Sequence, residues 1–256
     1  MGLSVLAAAL AFATPQHFIV AHQLQDGGFA ESGGKSDVTL TAWSLLALRA
    51  ANAPADERYL HAHESELRTP TEVALGVMAE AHPSAALLAR LDAVSETKAI
   101  NVTAWKALAL ASAGRPLPQS AVTFLLRAQS RSGGWPWTPG VAPDSNDTAA
   151  VIEALRAASV DGRPVRRGLT YLRRLENRDG GFALTRGRGS DAQSTAWAIQ
   201  AFVAARVAPP RGAFRYLARL RRADGSYRYS ARYEITPVWV TAQVLPALER
   251  RAFPLG

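Results

Sequence analysis

The 256-residue sequence contains no cysteine, and its basic side chains are nearly all arginine, Lys35, Lys98 and Lys106 being the exceptions. Without cysteine there can be no disulfide, no thiolate nucleophile and no cysteine-held zinc. The chain also lacks HExxH, GxSxG, a phosphate-binding loop and a dinucleotide fingerprint. Zinc-peptidase, serine-hydrolase and nucleotide-dependent chemistries are therefore without their usual residues. No stretch carries the apolar–polar alternation of a half-buried strand. The apolar run over residues 1–13 is too short to span a bilayer. It reads either as the core of a signal peptide, with Ala11-Phe12-Ala13 as the cleavage signal, or as an extra helix. The first reading implies export and the second a cytoplasmic protein.

Charge is uneven. Residues 1–128 hold nine basic and eleven acidic side chains, and residues 129–256 hold twenty and ten. Such a basic half suits solvated arginine-rich helices, with peripheral contact to an anionic surface open to it. No nucleic-acid-binding signature accompanies it, so nucleic acid is not expected as a partner.

Repetition is the strongest signal. A Thr-Ala pair opens an apolar helical pattern at Thr41, Thr103, Thr148, Thr195 and Thr241, and a degenerate copy is placed at Thr71. Ahead of four copies lies a turn of Gly-Gly-aromatic type: Gly27-Gly28-Phe29, Gly133-Gly134-Trp135, Gly180-Gly181-Phe182 and Gly225-Ser226-Tyr227. Glycine accepts the left-handed conformation that ends a helix, and the aromatic can then pack onto the core. Pro15, Pro118, Pro164 and Pro210 each precede a second kind of helix, richer in charge. Two weaker helices of this kind fit near residues 55–66 and 84–94. Six helix pairs without strands define an all-α protein, with apolar Thr-Ala helices inside and charged helices outside.

The Gly-Gly-aromatic turn followed by Asp-x-x-x-Thr-Ala resembles the prenyltransferase and squalene-cyclase repeat. The resemblance implies a single closed α/α toroid over residues 14–256. It also names the chemistries to compare. Class II terpenoid cyclases carry Asp-x-Asp-Asp-Thr-Ala, whose middle Asp protonates an alkene. The matching stretch here is Asp144-Ser145-Asn146-Asp147-Thr148-Ala149. An amide at the middle position cannot supply that proton, although Asp144 and Asp147 could form a carboxyl pair with one raised pKa. Protein prenyltransferases hold zinc through Asp, Cys and His. Here Asp37 and Asp191 stand at the Asp position, Thr39 and Gln193 at the Cys position and Val240 at the His position, so no metal is expected. The thioester proteins of the same fold need a cysteine. No cofactor is expected.

Asp37, Asp144, Asp147 and Asp191 all fall where inner helices begin, so helix capping is the simplest role for each. Ser190-x-x-Gln193 has the form of a capping box. If the helices close into a ring, these residues gather at one rim. The expected site is therefore that rim, with Asp144 and Asp147 as catalytic candidates and Asp37, Asn146, Asp191, Gln193, Trp43, Trp105 and Trp197 as ligand-binding candidates. The leading expectation is a catalytically degenerate member that binds an apolar or isoprenoid-like molecule or a protein. A cyclase using Asp144 or Asp147 as its acid is the second expectation. A cobalamin-carrier-like binder, carried by fold alone, is the third. In the stretch His61-Ala62-His63-Glu64 the two histidines lie two positions apart, so on a helix they face different ways and do not form a metal pair.

Overall fold

A computed structural model of the protein describes residues 13–95 and 99–255. The leader reading of residues 1–13 falls almost wholly outside this range. Six helices form an inner ring: α2 (Val38–Ala50), α4 (Pro70–Ala79), α6 (Ile100–Ser112), α8 (Ser145–Ala157), α10 (Ala192–Ala204) and α12 (Pro237–Leu248). Six more lie outside them: α1 (Pro15–Val20), α3 (Arg58–Ala62), α5 (Ala85–Ala93), α7 (Gln119–Arg127), α9 (Arg163–Arg173) and α11 (Arg211–Leu220). Each inner helix packs on the next, and α12 packs back on α2, so the ring is closed. The expected α/α toroid is what the chain forms. Burial follows the two roles. Eleven of the thirteen residues of α2 are buried, whereas α9 buries only Val165, Gly168, Leu169 and Leu172 and exposes Arg163, Arg166 and Arg173. Among the described residues no helix is long and apolar enough to cross a membrane.

The repeat signature has a hydrogen-bond logic. The repeat threonine accepts the N–H of the turn aromatic; at Thr41, Thr195 and Thr241 its hydroxyl donates to the carbonyl four residues back, and at Thr148 it donates to Trp135 O. Phe29 N reaches Thr41 Oγ1 at 2.9 Å, Trp135 N reaches Thr148 Oγ1 at 2.9 Å, Phe182 N reaches Thr195 Oγ1 at 2.9 Å and Tyr227 N reaches Thr241 Oγ1 at 3.0 Å. Each of these amides is buried and needs such an acceptor. Neither α6 nor α4 has such a turn sequence before it; α6 keeps Thr103, which donates to Ala99 O at 2.8 Å, and α4 has no threonine there. Its N-cap is Thr69, closing a capping box with Glu72, so the fourth helical residue is Val73. The second repeat is therefore anchored two residues later than the placement at Thr71.

The glycine pair is explained in the same way. Gly180 has φ +83°, and a Cβ there would sit 2.7 Å from the Gly212 carbonyl oxygen. Gly181 lies under the Tyr216 ring, which a Cβ would meet at 2.7 Å. Tyr216 in turn donates to Ser190 O at 2.6 Å, just ahead of the N-cap of α10, and Tyr171 does the same to Pro143 O at 2.6 Å ahead of α8. The loop between turn and cap is a short antiparallel hairpin in one repeat, β1 (Phe182–Ala183) with β2 (Ser190–Asp191), the only paired strands among the described residues.

These loops also reach across to the preceding repeat. Two residues after each turn aromatic, an oxygen accepts a free N–H from the first turn of the previous inner helix. Trp137 O takes Asn101 N at 3.1 Å, Leu184 O takes Ser145 N at 2.9 Å, and Tyr229 O takes Ala192 N at 2.7 Å. The same position in the first repeat is Glu31, whose carboxylate accepts Val238 N and Trp239 N, both at 3.0 Å. Helix starts leave N–H groups unpaired and favour negative charge. Glu31 thus caps α12, which lacks a side-chain cap of its own, and seals the seam between the last repeat and the first.

Candidate functional site

The N-termini of the inner helices make one rim. Asp37 caps α2 through Leu40 N at 2.7 Å, Asp144 caps α8 through Asp147 N at 2.8 Å, and Asp191 caps α10 through Ser194 N at 2.7 Å. Capping therefore occupies three of the four aspartates. The box read as Ser190-x-x-Gln193 is displaced by one residue: Asp191 is the cap, and Ser190 instead donates to Asp179 Oδ1 at 2.8 Å.

Asp147 is the fourth, and it stands apart. Its place on α8 is that of Ser194 on α10, whose hydroxyl donates to Asp191 Oδ2 at 2.9 Å. A carboxyl can make the same bond to Asp144 only while it keeps its proton. Burial, then the Asp144 charge and the hydrogen bond between the two groups, push Asp147 up to about 8. At neutral pH Asp147 is thus a carboxylic acid. Asp191 is also raised by burial, an effect opposed by its Ser194 hydrogen bonds. Asn146, half-buried, accepts a hydrogen bond from the Ser145 hydroxyl at 2.9 Å.

The three tryptophans occupy the sixth position of α2, α6 and α10. Those helices are not neighbours in the ring, so side chains from all three can meet only across its axis. They do meet: Trp43 and Trp105 have ring centroids 5.6 Å apart, Trp105 and Trp197 5.7 Å, and Trp43 and Trp197 6.3 Å, all edge to face. Phe253, near the chain end, adds a fourth ring, 5.5 Å from Trp197 and 6.2 Å from Trp43. Its N–H donates to Glu153 Oε2 at 2.7 Å. Glu153 lies on α8 and is fully buried, and that burial pushes its carboxyl well above the usual range, against the lowering effect of the Phe253 hydrogen bond. Trp197 Nε1 donates to Gln243 Oε1 at 3.0 Å. The axis beneath the rim is thus filled by side chains.

Above the tryptophans a cup of about 310 Å³ remains, lined by Thr39, Thr69, Thr71, Glu72 and Asn101, with Trp43, Leu75 and Trp105 at its base. Thr39, Thr71 and Asn101 are the second residues of their helices. Asn146 and Gln193 hold the same register on α8 and α10. The predicted aspartates do not converge on this cup. Asp37 borders a recess of about 510 Å³ with Glu31, Lys35, Thr39 and Trp239. Asp191 borders another of about 470 Å³ with Arg188, Tyr216, Tyr229 and Tyr233. Of the predicted site residues the structure therefore unites Asp144 with Asp147, and Trp43, Trp105 and Trp197 with one another. Sequence reading did not single out Thr69, Thr71, Glu72 and Asn101. The register that Thr71 and Asn101 share with Thr39 at the helix starts was the available signal.

A closed ring of six helix pairs with capped N-termini at one rim defines an α/α toroid. The sequence matches no protein-family profile and no curated protein. Among solved structures the chain is similar to ent-copalyl diphosphate synthase from Streptomyces platensis, with 19% identity and a TM-score of 0.55 over 83% of this chain. It spans 50% of the length of that synthase. It is also similar to the type II terpene cyclase MstE from Scytonema in its apo form, with 15% identity and a TM-score of 0.52 over 92% of this chain and 95% of the cyclase. The fold is that of the terpenoid-cyclase-like toroids.

Proposed function

We propose that this protein is a catalytically degenerate toroid of the terpenoid-cyclase type that binds an apolar or isoprenoid-like small molecule at its rim cup. The observation that carries this reading is the filled axis. Cyclisation of a long isoprenoid needs a chamber beneath the acid, and Trp43, Trp105, Trp197 and Phe253 occupy that space. Asn146 at the position of the family's acid agrees with it. The cup has a polar wall and an indole base, which suits an apolar body with one polar end, and its volume is at the lower end for small-molecule sites.

Because Trp43 and Trp105 form the base, their fluorescence reports occupancy. Titration with farnesol, a prenyl alcohol, is expected to give a saturable change that Thr71→Arg weakens at least about tenfold, as a bulky cation blocks the cup. A titration without saturation, or one that Thr71→Arg leaves unaltered, contradicts binding there.

One observation favours a second reading. Asp147 keeps its proton at neutral pH, as the acid of a class II cyclase must. Under that reading Asp147 is the proton donor, Asp144 its partner, and the tryptophan cluster must part to admit substrate. The cobalamin-carrier reading rests on the fold alone, and a protein partner at the rim has no residue arguing for it.

A further inference from the structure

At the face opposite the rim, around the C-terminus of α4, we propose that His61, Glu64 and Glu80 form a divalent transition-metal site, with zinc the best match. His61 lies on α3, Glu64 in the 3₁₀ turn over Glu64–Glu66 that follows it, and Glu80 is the C-cap of α4. One donor atom from each lies within 4.8 Å of the others. His61 Nδ1 is 3.3 Å from Glu80 Oε2 and 3.5 Å from Glu64 Oε1. Charge-assisted hydrogen bonds are usually shorter, about 2.7–2.9 Å. The edge of a tetrahedron of zinc ligands at 2.0–2.1 Å is about 3.3–3.4 Å, which the two separations approach.

Independent support comes from Glu80 itself. Its side chain is 1% exposed, yet its Oε1 has no hydrogen-bond partner among the described residues. A buried carboxylate oxygen left in this way is costly unless something else satisfies it. A cation held between the two carboxylates removes that penalty.

The surroundings fit a built site. Glu64 is fixed from behind by Ser84, whose N–H donates to Oε1 at 3.3 Å and whose hydroxyl donates to Oε2, the outer support that metal carboxylates commonly have. The nearby arginines are engaged elsewhere. Arg49 donates to Met78 O, Ala79 O and Glu57, and Arg90 donates to Glu64 O and Leu67 O. The His61 side chain is 60% exposed, leaving the fourth coordination position to water. His63 takes no part: its Nδ1 is bonded to Tyr59 O at 2.8 Å and its ring stacks on Tyr59. One imidazole and two carboxylates suit zinc or a similar borderline ion rather than magnesium or calcium.

Equilibrium dialysis of the full chain against zinc, after chelator treatment, tests the site with the metal alone. One zinc per chain is expected, with a melting temperature raised by about 5 °C or more at hundredfold excess over Kd. His61→Ala, a change at a largely exposed side chain, is expected to fold normally and to bind zinc at least about 100-fold more weakly. Glu80→Gln is expected to do the same while filling the same volume. Absence of tight zinc in the unaltered protein overturns the proposal. So does binding that His61→Ala leaves intact, since the metal would then sit on other histidines.

Discussion

Trp197→Ala is expected to lower the unfolding free energy by about 3–5 kcal/mol, the usual range for removing a fully packed tryptophan. Trp197 is 3% exposed. It makes aromatic contacts with Trp43, Trp105 and Phe253, each worth about 0.5–1.5 kcal/mol beyond simple burial. Its indole N–H also donates to the buried Gln243 carbonyl, which has no other donor among the described residues. Losing it adds about 1–3 kcal/mol for a buried acceptor left unpaired. Trp197→Phe keeps a ring on the axis and loses the hydrogen bond, so it should fall between the two proteins. Denaturant unfolding measures all three. A loss below about 1 kcal/mol for Trp197→Ala would mean that the axis is loosely packed and could serve as a chamber.

Asp147→Asn is expected to act in the opposite direction and to depend on pH. A free aspartate titrates at about 3.9, whereas Asp147 in the folded protein is pushed up to about 8. Below the unfolded value both states hold the proton and the favourable contribution of the group is complete. As pH rises from about 4 to about 8 the unfolded chain releases the proton while the folded chain retains it, so stability falls over that window. Above it the folded state ionises as well, beside Asp144. Asparagine has no proton to lose, and its amide can donate to Asp144 as the Ser194 hydroxyl does to Asp191. The variant should match the original protein near pH 4 and exceed it at pH 8 by on the order of 5 kcal/mol. Thermal unfolding across pH 4–9 checks this, and parallel curves for the two proteins would contradict a protonated Asp147.

The repeating helix pairs were legible from the chain because their determinants are local and repeat, whereas closure into a ring was implied only by the family resemblance. Thr41, Thr148, Thr195 and Thr241 each take the turn aromatic's N–H; Thr103, with no such turn sequence before it, donates to Ala99 O, and on α4 the position is Val73. The capping roles of Asp37, Asp144 and Asp191 could be read for the same reason. What could not be read were meetings between distant residues. That Trp43, Trp105 and Trp197 face one another depends on ring closure, which Glu31 completes at α12 some 207 residues away. That Phe253 enters the axis depends on Glu153, 100 residues earlier. The approach of His61 on α3 to Glu80 at the end of α4 is a tertiary meeting that no helical spacing announces. The pairing of Asp144 with Asp147 was visible as sequence, but the raised proton affinity of Asp147 needed its burial.

Incubation of the protein with squalene and with geranylgeranyl diphosphate, followed by mass spectrometry of the extracted lipids, tests the central claim most directly. The filled axis and Asn146 predict that both isoprenoids are recovered unchanged, from the original protein and from Asp147→Asn alike. A cyclised product made by the original protein and lost in Asp147→Asn would contradict it, showing that the tryptophan cluster opens and that Asp147 protonates an alkene.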